Sequence, residues 1–497
     1  MKEFNTDLYV PVHEQETLWV YNGLDVCLTN EILEATLPLL NENTARIYRW
    51  EFASQSLALE MMIRGLKIDR DKVAVLLKET ESEYEYYLGI LNRIADATWG
   101  APLNPNSPQQ LKDFFYGSMG IKPVVYRGKV TTDRKAMEKI MEMNLYARPA
   151  AKLVLLLHDL GKILSVLRTE IDPDGRMRCS YSVAGTETGR WSSSISAFGS
   201  GTNMQNISNH LREIFIADPG QKLAYIDLHA AESKGVGYIS GDEAYIKACD
   251  EGDAHTVVAR LVWTDLPWTG DIKLDKKIAS NTPFYRENSV RDMAKRGGHG
   301  TNYYGTPPTM AMHLKMPVDV VAHFQGEYFK AFPGIKKWHM RVITALQTQG
   351  KLITCYGRER IFFDRPDSNS TIREAIAYEP QSTIADTLNL AAYKVQQRWH
   401  GGDVKCMAQL HDAILVSYDE NREDELLPQI LKEMLIKVPC HGKIMIIDVE
   451  AESGWNWSHF DSKQPNKNPD GIREYKGHDD RTRTTNPSES VLDWKLN

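Results

Sequence analysis

The stretch AQLHDAILVSY, residues 408–418, sets His411 and Asp412 into a run that is otherwise almost wholly apolar. Ala413, Ile414, Leu415 and Val416 predict a short buried strand, where an unpaired carboxylate is costly unless a cation or a hydrogen-bond donor meets it. The fold therefore has to bring Asp412 a partner. Among single acids beside apolar strands the best candidate is Asp227, in KLAYIDLHAAES. Two carboxylates brought together repel, which raises one pKa, whereas divalent cations between them keep both ionised. Magnesium suits such a pair, because it binds through one or two carboxylates and completes its shell with water and phosphate oxygens. Two ions about 3.5–4 Å apart can serve in-line phosphoryl transfer. For these two acids alone, a strand-end cap or a salt bridge remains the alternative.

A second stretch bears on that alternative. In RDMAKRGGHGTNYYG, Arg291, Lys295, His299 and Tyr303 recur every fourth residue and form a stripe on one helix face. Two cations followed by two rings suit a nucleoside triphosphate, with guanidinium and ammonium on the phosphates and ring faces near sugar and base. An exposed amphipathic helix would carry a similar stripe. Gly297, Gly298 and Gly300 argue against it, since each costs up to about 1 kcal/mol relative to alanine in a helix. They predict a close approach or a bend.

The 497 residues, 42% hydrophobic and 25% charged, are ordinary for soluble globular protein and allow several domains. Cysteines 27, 179, 249, 355, 406 and 440 form no CxxC pair, which favours free thiols over a disulfide framework or a zinc site. No run approaches the ~20 apolar residues of a membrane span, and no leader pattern opens the chain, so the expected location is cytoplasmic with no membrane partner. The net charge of −7 does not exclude nucleic acid, because binding depends on where cations cluster. Helices are predicted up to about Pro38, over 46–64, 71–98 and 148–170, and from a cap at Ser107, with RGLKID turning at Gly65 into a short strand. Strand-like pieces follow in MRCSYSVAG, KLAYIDL, KLITCY, RERIFFD, KCMAQLHDAILVSYD and KIMIIDVEAE. The pattern is α+β without regular βαβ repetition. Beyond Phe460 the composition predicts an extended polar tail.

Taken together, the motifs resemble those of family A DNA polymerases, the group of bacterial DNA polymerase I, and they do so in order over most of the chain. TETGRWSSS with NMQNIS, YIDLHAAESKGVGYISGD, RDMAKRGGHGTNYYG, REAIAYEPQSTIAD and AQLHDAI each look like one of the family's segments, and MIRGLKID and NPNSPQQL resemble its earlier ones. The resemblance implies a right-hand fold with an antiparallel-sheet palm, a helical thumb and helical fingers. Residues 46–70 would lead into the palm, 71–175 form the thumb, 176–254 and 373–460 the palm, and 255–372 the fingers. It implies template-directed addition of deoxynucleotides to a primer 3′-OH in DNA replication, with primer-template DNA and deoxynucleoside triphosphates as partners and two magnesium ions as cofactor.

By the same resemblance, Asp227, Asp412 and the backbone carbonyl of Leu228 would hold the metal. Glu232 would crowd a ribose 2′-hydroxyl. His255, Arg291 and Lys295 would contact the triphosphate, with Lys295 as proton donor to the leaving pyrophosphate, and His299 and Tyr303 would face sugar and base. Arg190, Asn203, Gln205, Arg373 and Gln381 would lie near the nascent base pair and DNA, and His411 by the primer end. The sequence departs from the family at His299, where Phe or Tyr is usual, at Tyr304 for glycine, at Ala413 for glutamate and at Ala377 for asparagine. A one-residue shift would make Tyr304 the base-side ring.

LWVYNGLDVCLTNEI resembles the last motif of the 3′–5′ exonuclease domain, with Tyr21 and Asp25 in place, and residues 1–45 read as its remnant. The expectation is a chain without its own proofreading, served by a separate exonuclease or other replication proteins, as in the cytoplasm of a phage-infected bacterium. Two alternatives are an HD-type metal phosphohydrolase, from LLLHDLGK with His158 and Asp159, and a single-subunit RNA polymerase, which Glu232 opposes. In the polymerase reading Lys162 lies near DNA phosphates, and the ending SVLDWKLN is a disordered end or a docking segment.

Overall fold

The computed structural model describes residues 14–476 except 127. Among these residues three hydrophobic cores organise the chain. The first lies on a nine-stranded sheet in the order Val404–Leu410, Ala413–Asp419, Gln221–Leu228, Val449–Gly454, Gly471–Glu474, Asn456–His459, Phe215–Ile216, Leu66–Ile68, Arg176–Met177. All neighbours are antiparallel except Asn456–His459 beside Gly471–Glu474. The long helix Asn369–Arg398 covers this sheet. Its Ile384, Leu388, Ala391 and Val395 recur every three or four residues and join the sheet core, as helical periodicity requires. The helix is buried on nearly every side from Tyr378 to Ala392, which makes it a central rod that fixes the sheet against the second core.

That second core is helical and includes Ala254–Val262, Val290–Asn302, Val318–Ala331 and Pro333–Gln349. The glycines of Val290–Asn302 serve close approach. A Cβ at Gly297 would stand 2.8 Å from Met293 and Phe324, one at Gly298 3.3 Å from Tyr328, and one at Gly300 3.0 Å from Met310. The third core joins the helices Arg70–Trp99 and Arg148–Leu167 through Leu91, Phe114, Phe115, Met137, Val154 and Leu157. Ser107 caps the intervening helix Pro108–Lys112, its side chain accepting from the Gln110 N–H at 3.3 Å. Gly65 turns at φ 61° into the short strand Leu66–Ile68.

The C-terminal end of the described chain corrects one expectation. Residues 461–476 are not a loose tail, because Gly471–Glu474 forms a strand inside the main sheet with Ile472 buried. One apolar side chain was too weak a signal. Two glycines make the strand possible, since a Cβ on Gly454 would stand 2.7 Å from Gly471 and one on Gly471 2.6 Å from the Ser458 carbonyl. The SVLDWKLN ending lies outside the described residues. At the other end, Glu14–Thr36 forms the helix that carries Tyr21 and Asp25, but Leu18, Trp19, Tyr21, Val26 and Ile32 are all exposed. Among the described residues no helix is long and apolar enough to cross a membrane.

Candidate active site

Asp227 sits on a central strand, opposite Ala413 on one neighbour and Glu450 on the other. Directly opposed residues of antiparallel strands share a face, so Ala413, Asp227 and Glu450 form a row across three strands. His411 and Asp412 do not interrupt a buried strand, as the sequence suggested. They are the two-residue turn of a hairpin in which Leu410 pairs with Ala413, and both are exposed. The strand reading ran through the turn because His411 takes a left-handed φ of 61° without the glycine that usually marks such a position. The Leu228 N–H donates to the Asp412 carbonyl at 3.1 Å and ties this turn to the end of the Asp227 strand.

The electrostatics follow from this register. Burial pushes the Asp227 carboxyl up to about 7, and the charges of Asp412 and Glu450 push it the same way against the Leu228 N–H, which favours the ionised form. Tyr225, two residues earlier, is raised to about 12 by burial and by Asp227. Acids that repel in this way form a donor set that fits a divalent cation, which would remove the repulsion. Glu450 was missed in the sequence, although Asp448, Glu450 and Glu452 alternate and so signal one acidic strand face. His229 Nδ1 lies 2.7 Å from Glu450 Oε1.

A second cluster stands on the helix Val290–Asn302, which starts in a capping box between Ser289 and Asp292. His299 Nδ1 and Arg190 Nη2 each lie 3.5 Å from the Glu232 carboxylate. The rings of His299 and Tyr303 are 4.8 Å apart, and the Tyr303 hydroxyl is buried with no hydrogen-bond partner among the described residues. Tyr304, at φ 60°, turns instead to His339 at 5.4 Å. The ring that continues the stripe is therefore Tyr303. Arg291 Nη2 donates to both Asp253 oxygens at 2.9 and 3.1 Å, and Asp253 caps the helix that carries His255. Burial and then the Arg291 charge depress His255 to about 4, so its imidazole is neutral at ordinary pH. Lys295 is exposed and makes no ion pair among the described residues.

The remaining candidates divide. Gln205 donates to Gln409 Oε1 at 2.7 Å and to the Trp191 carbonyl at 3.1 Å, and Gln409 reaches the His411 carbonyl at 3.4 Å. This chain links the Arg190 loop to the Asp412 turn. Asn203 spends its side chain on the Gln205 N–H. Arg373 and Gln381 lie two helical turns apart on Asn369–Arg398, Arg373 exposed and Gln381 partly buried. No hydrogen bond among the described residues joins either to the clusters above. The HD-type alternative falls away: His158 Nε2 meets the Pro105 carbonyl at 2.7 Å, and Asp159 is paired with Arg134 and Lys162.

The α+β fold sets a carboxylate row where the hairpin at the sheet edge meets the Asp227 strand, with a cation-bearing helix in an adjoining core. The POL domain of Pol1 from M. smegmatis, in complex with DNA primer-template and dNTP, matches it at TM-score 0.68 and 22% identity over 82% of this chain and 70% of that one. The chain belongs to DNA polymerase family A, whose description matches residues 74–459. It is 26% identical over 451 residues to a thermostable DNA polymerase I of Thermus filiformis, covering 86% of this chain and 50% of the relative. It is 27% identical over 442 residues to DNA polymerase I of Chloroflexus aurantiacus, covering 83% and 43%. The chain thus spans about half the length of these relatives.

Proposed function

We propose that this chain extends a DNA primer by template-directed phosphoryl transfer from deoxynucleoside triphosphates in DNA replication. The observation that carries the reading is the row of Asp227 and Glu450 beside the Asp412 turn, with Asp227 pushed up to about 7 by burial and like charge. Asp227, Asp412 and the Leu228 carbonyl would hold two magnesium ions, which when bound supply the positive charge that favours ionisation of the primer hydroxyl and release of pyrophosphate.

The other residues position and exclude. Arg291 and Lys295 present two cations one helical turn apart to the triphosphate, and Lys295 is free to give a proton to the leaving group. Neutral His255 donates a hydrogen bond beside them. Glu232, held by Arg190 and His299, fills the space a ribose 2′-hydroxyl would need. Tyr303 presents its ring to the incoming base, and Arg190, Asn203, Gln205, Arg373, Gln381 and His411 face DNA. The three cores support the division into palm, fingers and thumb, with the sheet core as palm, the Val290–Asn302 core as fingers and the core within 71–175 as thumb. Such a site gains rate mainly from positioning and prearranged charge.

Primer extension with deoxynucleotides and ribonucleotides, comparing wild type with Asp412→Ala and Asp227→Asn, tests the reading. It requires both variants to lose extension while still binding primer-template. An Asp412→Ala enzyme that extends primers normally refutes the metal assignment.

A further inference from the structure

Two cysteines separated by 85 positions meet in the fold, although no sequence spacing pairs them. Cys355 lies in the loop that joins strands Lys351–Ile353 and Glu359–Ile361. Cys440 ends strand Lys437–Cys440, which pairs with Lys443–Ile446 in a later hairpin, and is followed by His441 and Gly442 at φ 48° and 82°. Both thiols are free, yet their sulfurs stand 2.8 Å apart, against about 2.05 Å for a disulfide bond. Cys440 is buried and Cys355 partly exposed, so a small reagent from solvent reaches Cys355 first.

The surroundings divide the two sulfurs into unlike roles. The Cys440 S–H holds the Cys355 thiol below its ordinary value, and the Cys355 sulfur together with burial pushes Cys440 up, so Cys355 is the one of the two that ionises more readily. Arg341 lies alongside, its Nη2 3.3 Å from His441 Nε2 and 3.3 Å from Glu379 Oε2. The Arg341 charge favours the Cys355 thiolate, and the charge of Glu379 opposes it more strongly. The His441 ring nitrogen lies within 4.8 Å of both sulfurs.

We propose that Cys355 and Cys440 form a reversible redox pair that a hydroperoxide closes to a disulfide. The Cys355 thiolate attacks one peroxide oxygen, the O–O bond breaks, and the departing hydroxide takes a proton to become water. The Cys440 sulfur then attacks the sulfenic sulfur of Cys355 and releases a second water. Two thiols lose two electrons and two protons, and one hydrogen peroxide is reduced to two waters. A dithiol reverses the step. The closed bond would staple the hairpin loop beside Asn369–Arg398 to the hairpin at Cys440, enclosing the Asp412 turn in the cross-linked loop.

The test uses the full chain, treated with hydrogen peroxide in chelator, alkylated and mapped by mass spectrometry. The expected product is a 355–440 cross-linked peptide that has lost two hydrogens and reopens with dithiothreitol. Cys440→Ser should stop at a Cys355 sulfenic acid trapped by dimedone, and Cys355→Ser should give neither product. Cys355→Ala and Cys440→Ala, checked for unchanged melting, guard against misfolding of the serine variants. Oxidation confined to the exposed Cys27 overturns the proposal. So does one equivalent of zinc, added in a parallel chelator-free arm, that is held through Cys355, Cys440 and His441 and protects them.

Discussion

Asp227→Asn should make the metal-free protein more stable at alkaline pH while abolishing its activity. The Asp227 carboxyl is raised from 3.8 to about 7. A folded-state value above the unfolded one means the associated stability is fully present below about pH 4 and is lost as pH rises through 7. At about 1.4 kcal/mol per pKa unit the loss has a ceiling of about 4 kcal/mol. Asp227 is not fully buried, so solvent screening brings a realistic figure to about 2 kcal/mol. Asparagine has no charge to lose. In urea denaturation with chelator, the variant should gain about 1–2 kcal/mol on wild type between pH 5 and pH 8. Adding magnesium should restore the wild type by binding the folded state and leave the variant nearly unchanged. Stability curves for the two proteins that run parallel in pH would refute the argument that burial and neighbouring carboxylates destabilise the ionised Asp227.

Glu232→Ala should raise the ratio of ribonucleotide to deoxynucleotide use at least about tenfold, equivalent to about 1.4 kcal/mol, in single-nucleotide kcat/KM measurements. Arg358→Ala leaves Asp386, 2% exposed and held by Arg358 at 2.8 and 3.0 Å, without its cation. It should cost about 3–5 kcal/mol in a denaturant titration. Gly297→Ala should lower stability by about 1–3 kcal/mol through overpacking. Gly298→Ala, whose Cβ meets only the edge of Tyr328 at 3.3 Å, should be close to neutral in the same denaturant titration. Glu450→Gln should raise the magnesium concentration for half-maximal extension about tenfold, and unchanged metal dependence would remove Glu450 from the site.

What the sequence made legible is local. Ser107 as a cap, Gly65 as a turn and the every-fourth-residue stripe on Val290–Asn302 each depend on neighbours within a turn or two of helix, and each appears in the structure. Asp227 and Asp412 were legible as a pair because each is a lone acid in an apolar run. What the sequence hid depends on register and on packing between distant segments. Glu450 comes opposite Asp227 only when Val449–Gly454 pairs in one particular register, and a shift of one residue would turn it to the other face. The glycines pointed to close approach or bending, and only the positions of Phe324, Tyr328 and Met310 select close approach. Tyr303 and Tyr304 were interchangeable in the motif until a left-handed φ at Tyr304 turned it toward His339.

The same reasoning bears on Ala413, where the family resemblance leads one to expect glutamate. Ala413 is fully buried and lies on the face shared by Asp227 and Glu450, so a long acid there would have to displace packed neighbours or turn out along the strand. Glu450 supplies a carboxylate to the same row from the opposite neighbouring strand. Its side chain is 66% exposed beside His229, whereas Asp227 is largely shielded, so desolvation falls on Asp227 and Glu450 remains an adjustable charge at the solvent edge. A shielded acid, an acid on an exposed turn and a third at the solvent edge need no glutamate next to Asp412. It asks only that the three strands keep their register. On this reasoning the proposed metal site depends on the sheet pairing that fixes Asp227 between its two neighbours, and a change that slips the Val449–Gly454 strand should damage it as surely as loss of an aspartate.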